Sequence, residues 1–232
     1  MNVLITGASQ GLGYAIAEVF AKKGNRVLLS SRNEVRLYNA LETLQTHYPE
    51  TAFRAKAFDL SVKENALALG AWALEFGAPD VLVNNAGVFE PGSVSNEADG
   101  ALESQMAVNL YSAYYLTRTL LPAMKEKRSG FIFNMCSIAG LRAYTNGGSY
   151  SISKFALNGF SQNLREELKS SGIKVAAIFP GAVKTASWGD FDNSEKRIME
   201  AADVAKLIEA ATQLSAGACV EDIILRPQLG DL

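Results

Sequence analysis

Tyr150 and Lys154 stand four residues apart in the stretch YSISK. On a helix that spacing puts both side chains on one face, one turn apart. A free phenol has a pKa of about 10, so near neutral pH it is a weak base and a slow proton donor. A charged ammonium ~5–6 Å from the phenol oxygen changes this. At an effective dielectric of about 20, Coulomb's law gives roughly 3 kcal/mol, which takes the phenol down by about two units to ~8. Such a group can exchange a proton with an oxygen that gains or loses charge during a reaction. Ser137, upstream of the pair, adds a hydroxyl able to orient that oxygen. It is not placed as an attacking nucleophile, because the only histidine, His47, has no evident triad context. A Tyr–Lys pair at helical spacing is also a common surface coincidence, so the elements around it decide.

Seven short apolar runs punctuate the chain: VLIT (3–6), RVLLS (26–30), TAFRAKAF (51–58), DVLVNN (80–85), GFIFNMC (130–136), IKVAAIF (173–179) and EDIILR (221–226). Between them leucines and other apolar residues recur at helical spacing, as at Leu37, Leu41 and Leu44, or Leu157, Phe160, Leu164 and Leu168. Ser61-Val62-Lys63-Glu64 has the form of a capping box. A long helix is predicted over 101–127 and another from near Ser149. Alternating strands and helices imply right-handed crossovers. The expected fold is therefore α/β: a single-domain, Rossmann-like, doubly wound sheet of seven mostly parallel strands, with helices on both faces, over residues 1–232. Residues 182–200, after Pro180-Gly181, form the one notable irregular segment and are expected to be a substrate loop over the open end of the sheet.

Composition narrows the partners. The 232 residues are 48% hydrophobic, enough for one sizeable core. With 22 basic and 24 acidic residues spread along the chain, no basic run suggests nucleic acid. No stretch approaches the ~18 apolar residues of a membrane span, and Met1 leads directly into a strand-like run, so a cytoplasmic protein without a leader is expected. Cys136 and Cys219 are expected to be buried free thiols, and His47 a surface residue with no metal site around it.

The first strand runs into TGASQGLG, residues 6–13, and then into a helix ending at Gly24. The spacing of Gly7, Gly11 and Gly13 differs from G-x-G-x-x-G. Its place between strand and helix still suits a phosphate, whose charge is favoured at a helix N-terminus. The second strand ends at Ser30-Ser31-Arg32. An acid near this position binds a ribose 2′-hydroxyl in dinucleotide folds, and an arginine accommodates a 2′-phosphate. With Ser31 and Arg32 there, NADP(H) is expected over NAD(H). Asp59, ending the third strand, either meets an adenine or belongs to the helix start at Ser61.

TGASQGLG, NNAG (84–87), the serine–tyrosine–lysine set at 137, 150 and 154, and PGAVKT (180–185) occur together in this order. As a set they resemble the single-domain short-chain dehydrogenases/reductases, over essentially the whole chain. The resemblance implies that Gly7, Gly11 and Gly13, with Ser9 and Leu12, form the pyrophosphate turn. Asp59 and Leu60 would lie at the adenine, and Asn85, Ala86 and Gly87 would support the cofactor ribose and the central sheet. Pro180, Gly181, Val183 and Thr185 would hold the nicotinamide end. It implies a catalytic set of Asn109, Ser137, Tyr150 and Lys154, in which Lys154 also holds the nicotinamide ribose and Asn109 anchors a water leading from Lys154 to solvent. Gln10 departs from the basic residue that many NADP-preferring members carry.

The activity implied is a hydride transfer between NADP(H) and a carbonyl or secondary alcohol, with Tyr150 as acid and base. The alternatives are a catalytically silent NADP-binding regulator and a sugar-nucleotide epimerase or dehydratase, for whose extra domain the chain leaves little room. Leu141, Tyr144, Trp188 and Phe191 are expected to line a pocket for a modestly apolar small molecule: a ketone, an aldehyde or a 3-oxoacyl thioester. The apolar, tyrosine-rich helix LYSAYYLTRTLL and its neighbour suggest an isologous contact, and a homodimer or homotetramer is implied.

Overall fold

The computed structural model describes residues 1–185 and 188–230. Its sheet has seven strands, all parallel: β1 (Asn2–Thr6), β2 (Arg26–Ser31), β3 (Phe53–Ala57), β4 (Val81–Asn84), β5 (Gly130–Met135), β6 (Ile173–Pro180) and β7 (Asp222–Leu225). Their order is β3-β2-β1-β4-β5-β6-β7. The chain winds outward from β1 to β3, then returns beside β1 with β4 and winds the other way. The connections leaving β1 and β4 therefore diverge, which opens a crevice at the carboxyl ends of these two strands.

The central strands bury both faces, and alternate side chains divide between two cores. Val3, Ile5, Val27, Leu29, Val81 and Val83 face α1 (Gly11–Lys22), α2 (Glu34–His47) and α7 (Ala201–Thr212), meeting Ile16, Phe20, Leu37, Leu44, Val204 and Ile208. Leu4, Leu28, Leu82 and Ile132 face α3 (Lys63–Leu74), α5 (Ser112–Lys127) and α6 (Gly148–Leu168), meeting Leu69, Leu116, Leu120, Leu164 and Leu168. At about 1.5–3 kcal/mol for each fully buried Leu, Val or Ile, these two layers dominate the folding energy. The edge strands differ. β3 reads FRAKA with Arg54 and Lys56 exposed, the charged edge that discourages pairing with another chain.

Three expectations are corrected. The predicted helix 101–127 is not uniform: α4 (Ala101–Met106) passes into a π-helical turn at Ala107–Tyr111 before α5 begins. The Ser61 capping box does not form, because the Ser61 N–H and hydroxyl both donate to Asp59 Oδ1, at 3.0 and 2.7 Å, leaving Val62 at the N-cap of α3. Cys136 is buried as expected, but Cys219 lies exposed in the loop before β7. His47 is exposed at the end of α2. Among the described residues, no helix is long and apolar enough to cross a membrane.

Candidate active site

A cleft of about 710 Å³ opens over the carboxyl ends of the central strands. Gly7 and Gly11 line it in left-handed conformations, with φ of +64° and +58°, which glycine adopts without strain. Ser9 and Leu12 line it too. Gly13 does not. A Cβ there would sit 2.3 Å from the Gly7 carbonyl oxygen, so Gly13 belongs to the turn by letting the helix pack closely against it. No side chain caps the N-terminus of α1, although Gln10 occupies the N-cap. The first-turn N–H groups thus face the cleft without side-chain acceptors, which fits a bound phosphate. Asn85 props this turn from below, donating through Nδ2 to the carbonyls of Thr6 (2.9 Å) and Gly7 (3.2 Å). The Thr6 hydroxyl accepts from the N–H groups of Asn85 and Ala86, each at 2.9 Å.

At one end of the cleft Ser9 and Ser31 hydroxyls meet at 3.0 Å, with Arg32 alongside. Asn33 and Arg36, absent from the sequence expectation, also line this end. Asn33 caps α2 by accepting from the Arg36 N–H, and that cap starts the helix so that two guanidinium groups, Arg32 and Arg36, flank the strand end. Asp59 and Leu60 close the wall. The hydrogen bonds from Ser61 hold the Asp59 carboxyl below the usual range, assisted by the charge of Arg32.

The other end gathers the predicted chemistry. β5 delivers Ser137 just past its carboxyl end, α6 carries Tyr150 and Lys154, and all three line the cleft with Ala86, Gly87, Pro180, Gly181, Val183 and Thr185. Lys154 is buried, 5% exposed, and donates to the Met135 carbonyl at 2.8 Å. Its ammonium lies 5.7 Å from the Tyr150 ring centroid. Gly87 lies beside it: a Cβ there would crowd Asn109 Oδ1 at 3.2 Å and stand in ordinary contact with Lys154 Nζ at 3.5 Å. The ground beneath α6 is polar and tied together: Asn84 donates to Asn134 (2.8 Å) and Thr117 (3.0 Å), and Asn134 donates to Ser161 (2.9 Å).

The electrostatics reverse one expectation. Burial pushes the Tyr150 phenol above its ordinary value, and the hydrogen bond with Ser137 draws it only partly back. Burial takes Lys154 down to about 8, against a smaller opposing influence of Cys136. The lysine was expected to lower the phenol to ~8. Instead both groups sit in a dry site where desolvation disfavours charge on each, and the ammonium is aimed at the Met135 carbonyl. Tyr150 is therefore protonated at neutral pH. The Cys136 thiol beside it is pushed by burial up to about 12 and stays a thiol.

Asn109 sits in the π-helical turn, 1% exposed. Its Oδ1 accepts from the Val88 N–H (2.8 Å), and its Nδ2 donates to the Val88 carbonyl (3.0 Å) and to Ser153 Oγ (2.9 Å). The carboxamide is a clamp on the segment after β4, with both amide hydrogens engaged. Gln105, one turn earlier and fully buried, clamps Glu90 in the same two-sided way. Holding residues 88 and 90 of an extended segment turns Phe89 to the other side. Phe89 lines the cleft and packs edge-on to Tyr150, ring centroids 4.7 Å apart. Neither Phe89 nor Gln105 carries a motif.

Of the four expected pocket residues, Tyr144 and Trp188 line the cleft. Leu141 and Phe191 do not: Leu141 faces outward from the turn after Ser137, and Phe191 packs behind Trp188 at 5.2 Å. Arg142 and Ile138 take their place in the wall.

The family model for short chain dehydrogenase matches residues 1–196. An uncharacterized oxidoreductase of Staphylococcus saprophyticus is 32% identical over 225 residues, covering 97% of this chain and 96% of the relative. Among solved structures, the alcohol dehydrogenase of the archaeon Thermococcus sibiricus, complexed with 5-hydroxy-NADP, superposes with a TM-score of 0.90 at 25% identity, over 97% of this chain and 96% of that one. L-sorbose reductase from Gluconobacter frateurii, complexed with NADPH and L-sorbose, gives 0.88 at 26% identity, over 96% and 94%.

Proposed function

This chain belongs to the short-chain dehydrogenase family, and from that premise we propose an NADP(H)-dependent oxidoreductase that interconverts a carbonyl group and the corresponding alcohol, secondary from a ketone and primary from an aldehyde. The observation that carries the proposal is a single cleft with two chemically distinct ends. Ser137, Tyr150 and Lys154 converge at one, and the glycine turn with Arg32 and Arg36 lies at the other. Two structural relatives, the archaeal alcohol dehydrogenase and the sorbose reductase, carry NADP-type cofactors in their complexes.

Ser9, Ser31, Arg32 and Arg36 would hold the 2′-phosphate, the turn 7–12 the pyrophosphate, and Lys154 the nicotinamide ribose. When bound, the reduced cofactor supplies a hydride. Ser137 orients the carbonyl oxygen, and Tyr150 gives its proton to that oxygen as negative charge develops on it. In the reverse direction the phenolate takes the proton from the alcohol. Phe89, Ile138, Tyr144 and Trp188 give the reacting end a largely apolar and aromatic wall, with Arg142 as its charged member, suited to a ketone or aldehyde with an apolar body. Residues 182–200 act as the substrate loop, tied at its base by the Val183–Met199 bridge. Tyr111, at the end of the π-helical turn, and Ile152 and Phe155, on α6, are exposed, and we read these positions as part of the contact of a homo-oligomer.

The cofactor assignment has a direct test. A hydrogen bond to a charged group contributes about 1.5–3 kcal/mol. Arg32→Ala should therefore weaken NADP binding about tenfold or more, and leave NAD binding within about twofold. In a thermal-shift comparison of the unaltered protein, NADP should stabilise more than NAD; greater stabilisation by NAD contradicts the assignment.

The raised Tyr150 pKa sets a pH dependence. Reduction needs the phenol, which is fully protonated through neutral pH, so its rate should be flat there and fall only in the alkaline range. Alcohol oxidation needs the phenolate, whose fraction grows about tenfold per pH unit below the pKa. Initial rates of oxidation should climb from about pH 7 toward pH 9; oxidation that slows over that interval excludes Tyr150 as the base.

A further inference from the structure

Glu97 lies on the connection between β4 and α4, outside every motif. Its carboxylate accepts from the Ser149 backbone N–H at 2.7 Å and from the Ser149 hydroxyl. Ser149 is buried in the first turn of α6, immediately before Tyr150. The residue at the N-cap of α6 is Gly147, which brings no capping side chain. The cap comes from fifty-two residues away. Two glycines admit it. A Cβ on Gly148, whose φ is +33°, would lie 1.9 Å from Glu97 Oε1, and a Cβ on Gly92 would lie 2.6 Å from Glu97 Cγ. The Gly92 N–H donates to the Asn146 carbonyl at 3.1 Å, fastening the same strap to the approach of the helix.

We infer that Glu97 is a positioning residue for the reaction: it fixes the first turn of α6, and with it the Tyr150 phenol. The inference rests on the reading of Tyr150 as proton donor. Helix first turns leave N–H groups without intrahelical partners and fray unless these are capped, and a negative group suits the positive end of the helix dipole. The same strap carries Phe89 against the Tyr150 ring. Lys154, one turn on, has an anchor of its own at the Met135 carbonyl. Loss of Glu97 therefore loosens the proton donor and leaves the cofactor-holding lysine in place. Small misplacements of a catalytic group are costly in rate.

The experiment compares Glu97→Ala and Glu97→Gln with the unaltered chain, well below their melting temperatures. In Glu97→Ala, kcat for ketone reduction should fall about tenfold or more, NADPH affinity should stay within about twofold, and hydrogen-exchange protection should be lost at residues 149–152 but kept beyond Lys154. Glu97→Gln keeps an acceptor and should recover part of kcat. It carries the comparison alone if the alanine variant does not fold. An unchanged kcat overturns the inference, and so does a parallel fall in kcat and NADPH affinity. If the unaltered chain reduces no carbonyl compound, the reductase reading fails separately. Retained protection at 149–152 in Glu97→Ala then still refutes the clamp, and loss confined to those residues sustains it.

Discussion

Tyr150→Phe is expected to lower kcat for carbonyl reduction by about 10²–10⁴-fold, the usual contribution of a positioned general acid, and to leave NADPH affinity within about twofold. The phenol oxygen is the one atom removed. The ring remains, and with it the edge-on contact to Phe89 at 4.7 Å. Ser137 loses its hydrogen bond to the phenol but keeps the Ala139 N–H, which donates to its hydroxyl at 3.1 Å. Stability should therefore change little, and the loss should be one of rate. Steady-state kinetics and a fluorescence titration with NADPH separate the two quantities. Equal rates for the variant and the unaltered chain on a substrate that is turned over would remove Tyr150 from the mechanism.

Lys154→Met is expected to differ in kind: kcat falls by about 10²-fold or more, and NADPH binding weakens about tenfold or more with it. Methionine matches the length of the lysine stem and fills the same buried space. It removes the ammonium, which touches the Met135 carbonyl at 2.8 Å and lies beside both Gly87 and the Tyr150 ring. The Met135 carbonyl loses a partner, at about 1–3 kcal/mol, but a charge whose pKa burial has already taken to about 8 is also removed. These effects oppose each other, so the folded state should survive. A calorimetric titration that finds NADPH affinity intact in Lys154→Met would show that the lysine does not hold the cofactor.

The strands, the order of elements and the Tyr–Lys–Ser set were legible because each rests on local pattern: apolar runs, helical spacing and short motifs. An open carboxyl end followed from alternation, whereas its place between β1 and β4 depends on the strand order β3-β2-β1-β4-β5-β6-β7. What was not legible depends on contacts between distant segments. Gln105, Phe89 and Glu97 have no motif, and their roles arise only when the segment after β4 is laid between α4 and α6. The Ser61 box failed because Asp59, two residues earlier, competes for the same serine. The π-helical turn at Ala107–Tyr111 is a local change from i→i+4 to i→i+5 hydrogen bonding, and no residue type in AVNLY marks it. The phenol's pKa was misjudged in direction because pair attraction can be counted from sequence spacing, whereas desolvation requires knowing how dry the site is. Leu141 and Phe191 were grouped with Tyr144 and Trp188 by composition, and one turn of backbone separates lining residues from backing ones.

The most direct test of the central claim is NADPH consumption by the purified protein, measured against a panel of ketones and aldehydes and followed by identification of the alcohol formed. The account predicts consumption that depends on the carbonyl compound, yields the matching alcohol mole for mole, and proceeds faster with NADPH than with NADH. Tight NADPH binding with no turnover across the whole panel would contradict it and point to a silent cofactor-binding protein.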